Sequence, residues 1–221
     1  MASPRLFSTG LPSPASDVAD FWGLEPLSGR LVEISGHRAS ANLTVAFGLV
    51  LEAQGKDEPA AWVTLAQSTF FPPDVAESGI DLGRLAVVRV SDGTAACRAV
   101  VELTRSGGFG LVVLDLGPGA LQEKLEKSPP RVGRLWKKRA GPSIAFITKL
   151  VGLAQKTSTA VVVLTEKTRE SSSLNSLISL RCEARRSPDM PCEVEIDVLK
   201  DKRRGPGRRY REVCRAPAGL R

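Results

Sequence analysis

The sequence predicts an α/β fold, a mainly parallel, twisted β-sheet flanked by helices on both faces. Three observations predict it. Apolar strand-like runs alternate with amphipathic helix-like segments along most of the chain. Two of the runs, Leu111–Leu116 and Ala160–Thr165, are almost continuously apolar, as strands covered on both faces are. The pairs Pro72-Pro73, Gly107-Gly108 and Pro129-Pro130 punctuate the segments. At 221 residues, 42% of them hydrophobic, the chain suffices for one domain with a substantial core.

Each element follows from its local pattern. Residues 1–20 are rich in Pro, Ser and Ala, so residues 1–24 are expected to be a flexible lead-in. Residues 30–35 read as a buried strand. Residues 40–54 read as a helix, with Ser40 a candidate N-cap and Gly55 a stop. Residues 61–66 form the next strand, and a short helix follows Pro72-Pro73 through Glu77. Leu85–Val90 is a strand. Thr94–Arg105 is a helix, because Ala96, Ala99, Val100 and Leu103 share one face. After the strand at 111–116, Leu121–Lys127 reads as a short polar helix. Ser143–Lys156 carries Ile144, Ile147, Val151 and Ala154 at helical spacing. Leu177–Arg181 and Val194–Leu199 read as two last strands, an antiparallel C-terminal extension. The core domain therefore spans residues 25–202. Residues 203–221 (RRGPGRRYREVCRAPAGLR) show no periodicity and are expected to be a disordered basic tail.

Charge is uneven. The net charge is +7 and the pI about 9.5. Residues 131–140 (RVGRLWKKRA) hold five basic and no acidic side chains. Residues 167–221 hold 14 basic and 8 acidic ones, and the remainder is mildly acidic. Two basic patches on an acidic body point to a polyanion or an acidic protein surface as partner, against the plain reading of a solvated charged surface. The candidate DNA- or partner-binding residues are Arg134, Trp136, Lys137, Lys138, Arg139, Lys167, Arg169, Lys202, Arg203, Arg204, Arg208, Arg209 and Arg211. Four cysteines stand without a C-x-x-C pair and there is one histidine, so no metal site is expected. The sequence has neither a secretory leader pattern nor an apolar run of about 18 residues, so a cytoplasmic chain with reduced thiols and no membrane contact is expected. With one histidine and no G-x-S-x-G elbow, a Ser–His–Asp system has no basis. Glu193 and Glu195 share a strand face and read as solvent-facing partners of nearby Lys or Arg.

The segment Gly29–Ala46 (GRLVEISGHRASANLTVA) reads as strand, loop and helix start, the setting of a phosphate-binding loop. The pattern G-x-x-x-x-G-K-[ST] is lost in it. Gly36 keeps the first glycine, but Ala41, Asn42 and Leu43 stand at the second glycine, the lysine and the hydroxyl residue. Ala41 crowds a phosphate with its Cβ, Asn42 supplies no cation and Leu43 no Mg²⁺ ligand. Thr44 follows, and Ser40 lies between. His37 and Arg38 are either weak anion contacts at a helix N-terminus or space-filling loop residues. No nucleotide cofactor is expected, and catalysis is not expected.

These segments resemble, in order, the core of the RecA recombinase family. GRLVEISG at 29–36 is similar to its first core strand and loop entry. Ala61–Ala66 (AWVTLA) is similar to the strand that ends in a catalytic glutamate, a position where Ala66 stands. Phe109–Asp115 (FGLVVLD) resembles the Walker B strand, and Asp115 matches its aspartate. Glu166 stands where the family has a glutamine that senses the γ-phosphate. Lys167–Asn175 follows in the place of the second DNA-binding loop, and Val194–Arg203 resembles a late strand and its basic turn. The likeness covers roughly residues 25–205 and implies a RecA-like core with a degenerate Walker A loop. Within the superfamily the chain resembles the ImuA type. That resemblance implies a non-catalytic accessory role in the SOS response and error-prone translesion synthesis. The implied partners are RecA recombinase, a Y-family-like ImuB-type protein or an alternative replicative polymerase, with single-stranded DNA as a further one, and a nucleoid-associated location. A divergent ATPase and a single-stranded-DNA-binding module are the alternatives.

Overall fold

A computed structural model describes residues 7–9, 22–37, 40–66, 68, 73–115, 117, 144–190 and 192–214. Nine strands form one sheet: β1 (Phe7–Thr9), β2 (Leu31–Gly36), β3 (Ala60–Leu65), β4 (Leu85–Val90), β5 (Leu111–Asp115), β6 (Ala160–Glu166), β7 (Leu180–Arg186), β8 (Glu193–Asp201) and β9 (Arg209–Cys214). Their order is β1-β9-β8-β7-β2-β6-β5-β3-β4. The six strands from β7 to β4 run parallel, and β8, β9 and β1 extend the sheet antiparallel beyond β7. The helices are α1 (Leu24–Leu27), α2 (Asn42–Gly55), α3 (Pro73–Ala76), α4 (Gly93–Ser106) and α5 (Ile144–Thr157).

Alternation along the strands sorts the core into two layers. Val32, Ile34, Trp62, Leu111, Val113 and Val162 face α2, where Val45, Leu49 and Val50 meet them. Leu31, Val63, Val112 and Val161 face α4 and α5, against Val100, Ile147 and Leu150. Full burial of each such side chain contributes about 1.5–3 kcal/mol. Trp62 stacks on Phe47 of α2, ring centroids 4.6 Å apart, which fixes α2 over the middle of the sheet.

Ionised groups tie the extension to the parallel strands. Arg30, just before β2, bonds Asp201 at the end of β8 at 2.6 Å, and both side chains are fully buried. The Arg30 Nε also donates to Ser179 Oγ (3.0 Å). Arg208 closes on the other Asp201 oxygen, and the Arg203 backbone N–H donates to Asp201 Oδ1 (2.8 Å). On the opposite sheet face Glu33 is wholly buried. It accepts from Lys167 Nζ (3.0 Å), Thr165 Oγ1 (3.0 Å) and the Leu174 N–H (2.7 Å), which pins the loop after β6.

Several sequence expectations are corrected. The lead-in contains β1, and helix α1 begins at Leu24, the last residue assigned to it. The basic tail is not disordered throughout, because Arg209–Cys214 is strand β9, paired with both β8 and β1. Arg209, Arg211 and Val213 alternate there with Tyr210, Glu212 and Cys214, a period of two that the arginine content hid. Gly205 (φ 78°) and Gly207 (φ 97°) make the connecting turn, so Gly-Pro-Gly was a turn signal rather than a disorder signal. The strand expected at 177–181 lies at 180–186. Ser40 is not the α2 N-cap; Ala41 holds that position with no side-chain cap. The α4 cap is Asp92, which accepts from the Thr94 and Ala95 N–H groups. The polar helix expected at 121–127 lies outside the described residues.

Burial opposes ionisation of Asp201, but the Arg203 N–H and the Arg30 guanidinium outweigh it and hold the carboxyl below its usual range. A depressed carboxyl contributes stability above its unfolded pKa and loses it as pH falls through the folded one. We predict that Asp201→Ala lowers unfolding free energy at neutral pH by roughly 3–5 kcal/mol, because it strands Arg30. The loss should shrink below the ordinary Asp range, as read by urea denaturation at several pH values.

Candidate functional site

The carboxyl ends of β2, β3, β5 and β6 meet the start of α2, where ligands bind in open α/β sheets. Gly36 ends β2 there, and side-chain atoms of Ser40 and Asn42 lie over it. The Ala41 N–H donates to the Ala184 carbonyl of β7 (3.1 Å), and Ser40 bridges to Arg185. Ser40 Oγ accepts the Asn42 N–H (3.2 Å), and Asn42 Nδ2 donates to the Thr165 carbonyl (3.0 Å). A Cβ placed on Gly36 would meet Ser40 Oγ, Asn42 Oδ1 at 2.6 Å and Ser40 Cβ at 2.9 Å. The space above the first glycine is therefore filled by the loop's own side chains. Leu43 is exposed, and Thr44 Oγ1 accepts from Arg186 (3.4 Å). His37 is exposed; Arg38 lies outside the described residues.

Asp115 ends β5 beside Thr64 of β3. Its carboxylate accepts from the Gly117 N–H (2.9 Å). Burial pushes the carboxyl above its ordinary value, and the hydrogen bond from the Gly117 N–H offsets this only in part. Asn42 Oδ1 and Thr64 Oγ1 are buried without a hydrogen-bond partner. An acceptor oxygen at Asn42, where the phosphate-loop pattern has lysine, repels an anion.

The RecA N-terminal domain family matches residues 7–190. The chain belongs to that family. It is 28% identical over 224 aligned residues to a protein RecA of Leptospira meyeri, covering 96% of this chain and 54% of that one. It is 36% identical to a protein RecA of Thermotoga petrophila over 103 residues, which are 47% of this chain and 28% of that one. The chain thus spans about half the length of the first of these relatives. The crystal structure of the RadB recombinase superposes with a TM-score of 0.61 at 17% identity, covering 83% of this chain and 86% of that one. Among the described residues this site does not fit a magnesium nucleotide: the space at Gly36 is occupied by Ser40 and Asn42, and Ala66 and Leu43, which the resemblance sets against a glutamate and a hydroxyl residue, are exposed.

The basic candidates separate into distinct places. Arg134, Trp136, Lys137, Lys138 and Arg139 lie outside the described residues. Lys167 is held by buried Glu33 and Arg208 by buried Asp201, so both serve structure rather than a surface. Lys202, Arg203 and Arg204 are exposed on the β8–β9 turn, at the opposite end of the sheet from Gly36. Arg169, Arg209 and Arg211 converge on β8 together with Arg185, which the sequence reading missed. Asp197 meets Arg209 (2.5 Å), Arg169 (2.8 Å) and Arg185 (3.3 Å), and Glu195 meets Arg185 (3.0 Å) and Arg211 (3.2 Å). Burial opposes the charge on Asp197, but Arg209 and Arg169 overcome it and keep its carboxyl below the usual range. Glu195 is a partner of arginine as expected, yet it is buried rather than solvent-facing. The signal for Arg185 was the Glu-x-Glu-x-Asp alternation of β8, which calls for cations on neighbouring strands.

Among the described residues no group of three or more His, Cys, Asp or Glu is placed to hold a metal, and no helix is long and apolar enough to cross a membrane.

A carboxyl raised by burial costs stability that builds up as pH rises from its unfolded value of 3.8 and is fully present above its folded value. We predict that Asp115→Asn, which keeps an acceptor for Gly117, raises stability at neutral pH. Thermal melts at several pH values check this, with the gain vanishing below pH ~3.8.

Proposed function

We propose that this chain is a non-catalytic RecA-like accessory protein of the ImuA type. In this reading it acts in the DNA damage response and error-prone translesion synthesis through protein contacts. The partners are a RecA recombinase, a Y-family-like ImuB-type protein or an alternative replicative polymerase, in the cytoplasm at the nucleoid. One observation carries the reading: the phosphate loop is closed over Gly36 by Ser40 and Asn42 while the surrounding core remains intact. Phosphoryl transfer needs a cradle, a cation and a metal ligand at this position, and Ala41, Asn42 and Leu43 supply none of the three. A core kept without that chemistry supports selection on its surfaces.

A single-stranded-DNA-binding module is the second reading, favoured by exposed Lys202, Arg203 and Arg204 on one turn. Binding through such a turn releases counterions and weakens steeply with salt.

The test titrates the purified chain into a RecA recombinase assembled on single-stranded DNA and follows the recombinase's ATP turnover. A saturable change that persists when the DNA is already covered supports the adaptor. A change that vanishes once DNA is in excess assigns the effect to competition for DNA, and no change removes the recombinase from the list of partners.

A further inference from the structure

The outer face of the antiparallel extension carries a layered charge arrangement. Glu183, Glu193, Glu195 and Asp197 are sunk, with side chains 6–13% exposed. Above them stand Arg169, Arg185, Arg209 and Arg211, 40–62% exposed. Each carboxylate is contacted by at least one of these guanidiniums, at 2.5–3.6 Å. The buried acids orient the arginines and neutralise them, while each guanidinium-bearing side chain, with its five N–H donors, stays 40–62% exposed. Val213 continues the same face of β9 and is 44% exposed.

We propose that this arginine-faced surface docks an acidic segment of a protein partner. The proposal deepens the adaptor reading and rests on it for the existence of a partner. Charge complementarity selects the occupant. Four arginines over four carboxylates have no net charge, so the patch lacks the long-range field that draws a polyanionic backbone. At contact range the outward layer is nonetheless all guanidinium, whose fork pairs with carboxylates two bonds at a time. The exposed valine adds an apolar contact of the kind protein interfaces use, with arginine enriched as an anchor. The buried carboxylates hold the arginines in place, so little rotamer entropy is lost on docking.

The full chain is titrated with a fluorescein-labelled oligoglutamate peptide and, separately, with an oligothymidylate of equal charge. Saturable peptide binding is expected, tighter than oligothymidylate binding at the same salt. Arg211→Ala leaves Glu195 held by Arg185, removes the arginine contact of Glu193 and should weaken the peptide about tenfold. Arg169→Ala should do the same: Asp197 keeps two other arginines, and Glu183 loses its contact with Arg169. Arg98→Ala, at an exposed position of α4, should leave it unchanged. Circular dichroism melts establish that each variant is folded. No peptide binding, equal binding by both arginine variants and the parent, or tighter binding of oligothymidylate lost in Arg211→Ala would each overturn the proposal. The assay contains no recombinase, so its failure is separable from failure of the adaptor reading.

Discussion

β2 is the middle strand of nine, and charged groups buried beside it hold the two halves of the sheet as one body. Arg30 enters β2 and locks Asp201, the last residue of β8. Glu33, within β2, takes Lys167 and the Leu174 N–H from the loop that follows β6. Such pairs add little stability over apolar packing, but each leaves an uncompensated charge if its partner moves. They therefore specify placement. The antiparallel strands cannot slide along β7 without exposing or stranding Asp201, and the loop after β6 cannot lift without stranding Glu33. The arginine row over β8 depends on that placement, because Arg169 belongs to the Glu33-anchored loop and Arg209 to the Asp201-anchored hairpin.

The parallel half of the fold was legible because its strands are buried on both faces. Runs such as Leu111–Leu114 and Ala160–Leu164 satisfy no other setting, and the strand at 85–90 was placed to the residue. The extension was legible only in part. Buried acids and arginines on β8 and β9 look like solvated surface until pairing across strands is known, and that pairing is non-local. Arg185 meets Glu195 through strand register, a relation that no spacing along the chain encodes. The same limit applied to Lys167 and Arg208, which read as surface cations and turned out to be anchors. After β2 the departures from the G-x-x-x-x-G-K-[ST] pattern were plain in the sequence. That Ser40 and Asn42 pack over Gly36 was not, because it depends on the Thr165 and Ala184 carbonyls supplied by distant strands.

In this RecA-family core the backbone donors at the start of α2 are satisfied from within the chain. A helix start leaves backbone N–H groups that need acceptors, and in nucleotide enzymes phosphate oxygens supply them. Here the Asn42 N–H turns to Ser40 Oγ, and Ala41 turns to β7. Asn42 replaces a long cation with a short amide tied to β6. Asp115, without a charge to balance, is held by Gly117 in surroundings that disfavour its ionised form.

The most direct measurement is equilibrium titration of the chain with a fluorescent ATP analogue in the presence of Mg²⁺, followed by displacement with unlabelled ATP. The closed loop predicts no saturable, displaceable signal and no shift of the thermal midpoint by ATP. Saturable binding that unlabelled ATP displaces, with a raised midpoint, would contradict it, because ligand that binds the folded chain must stabilise it.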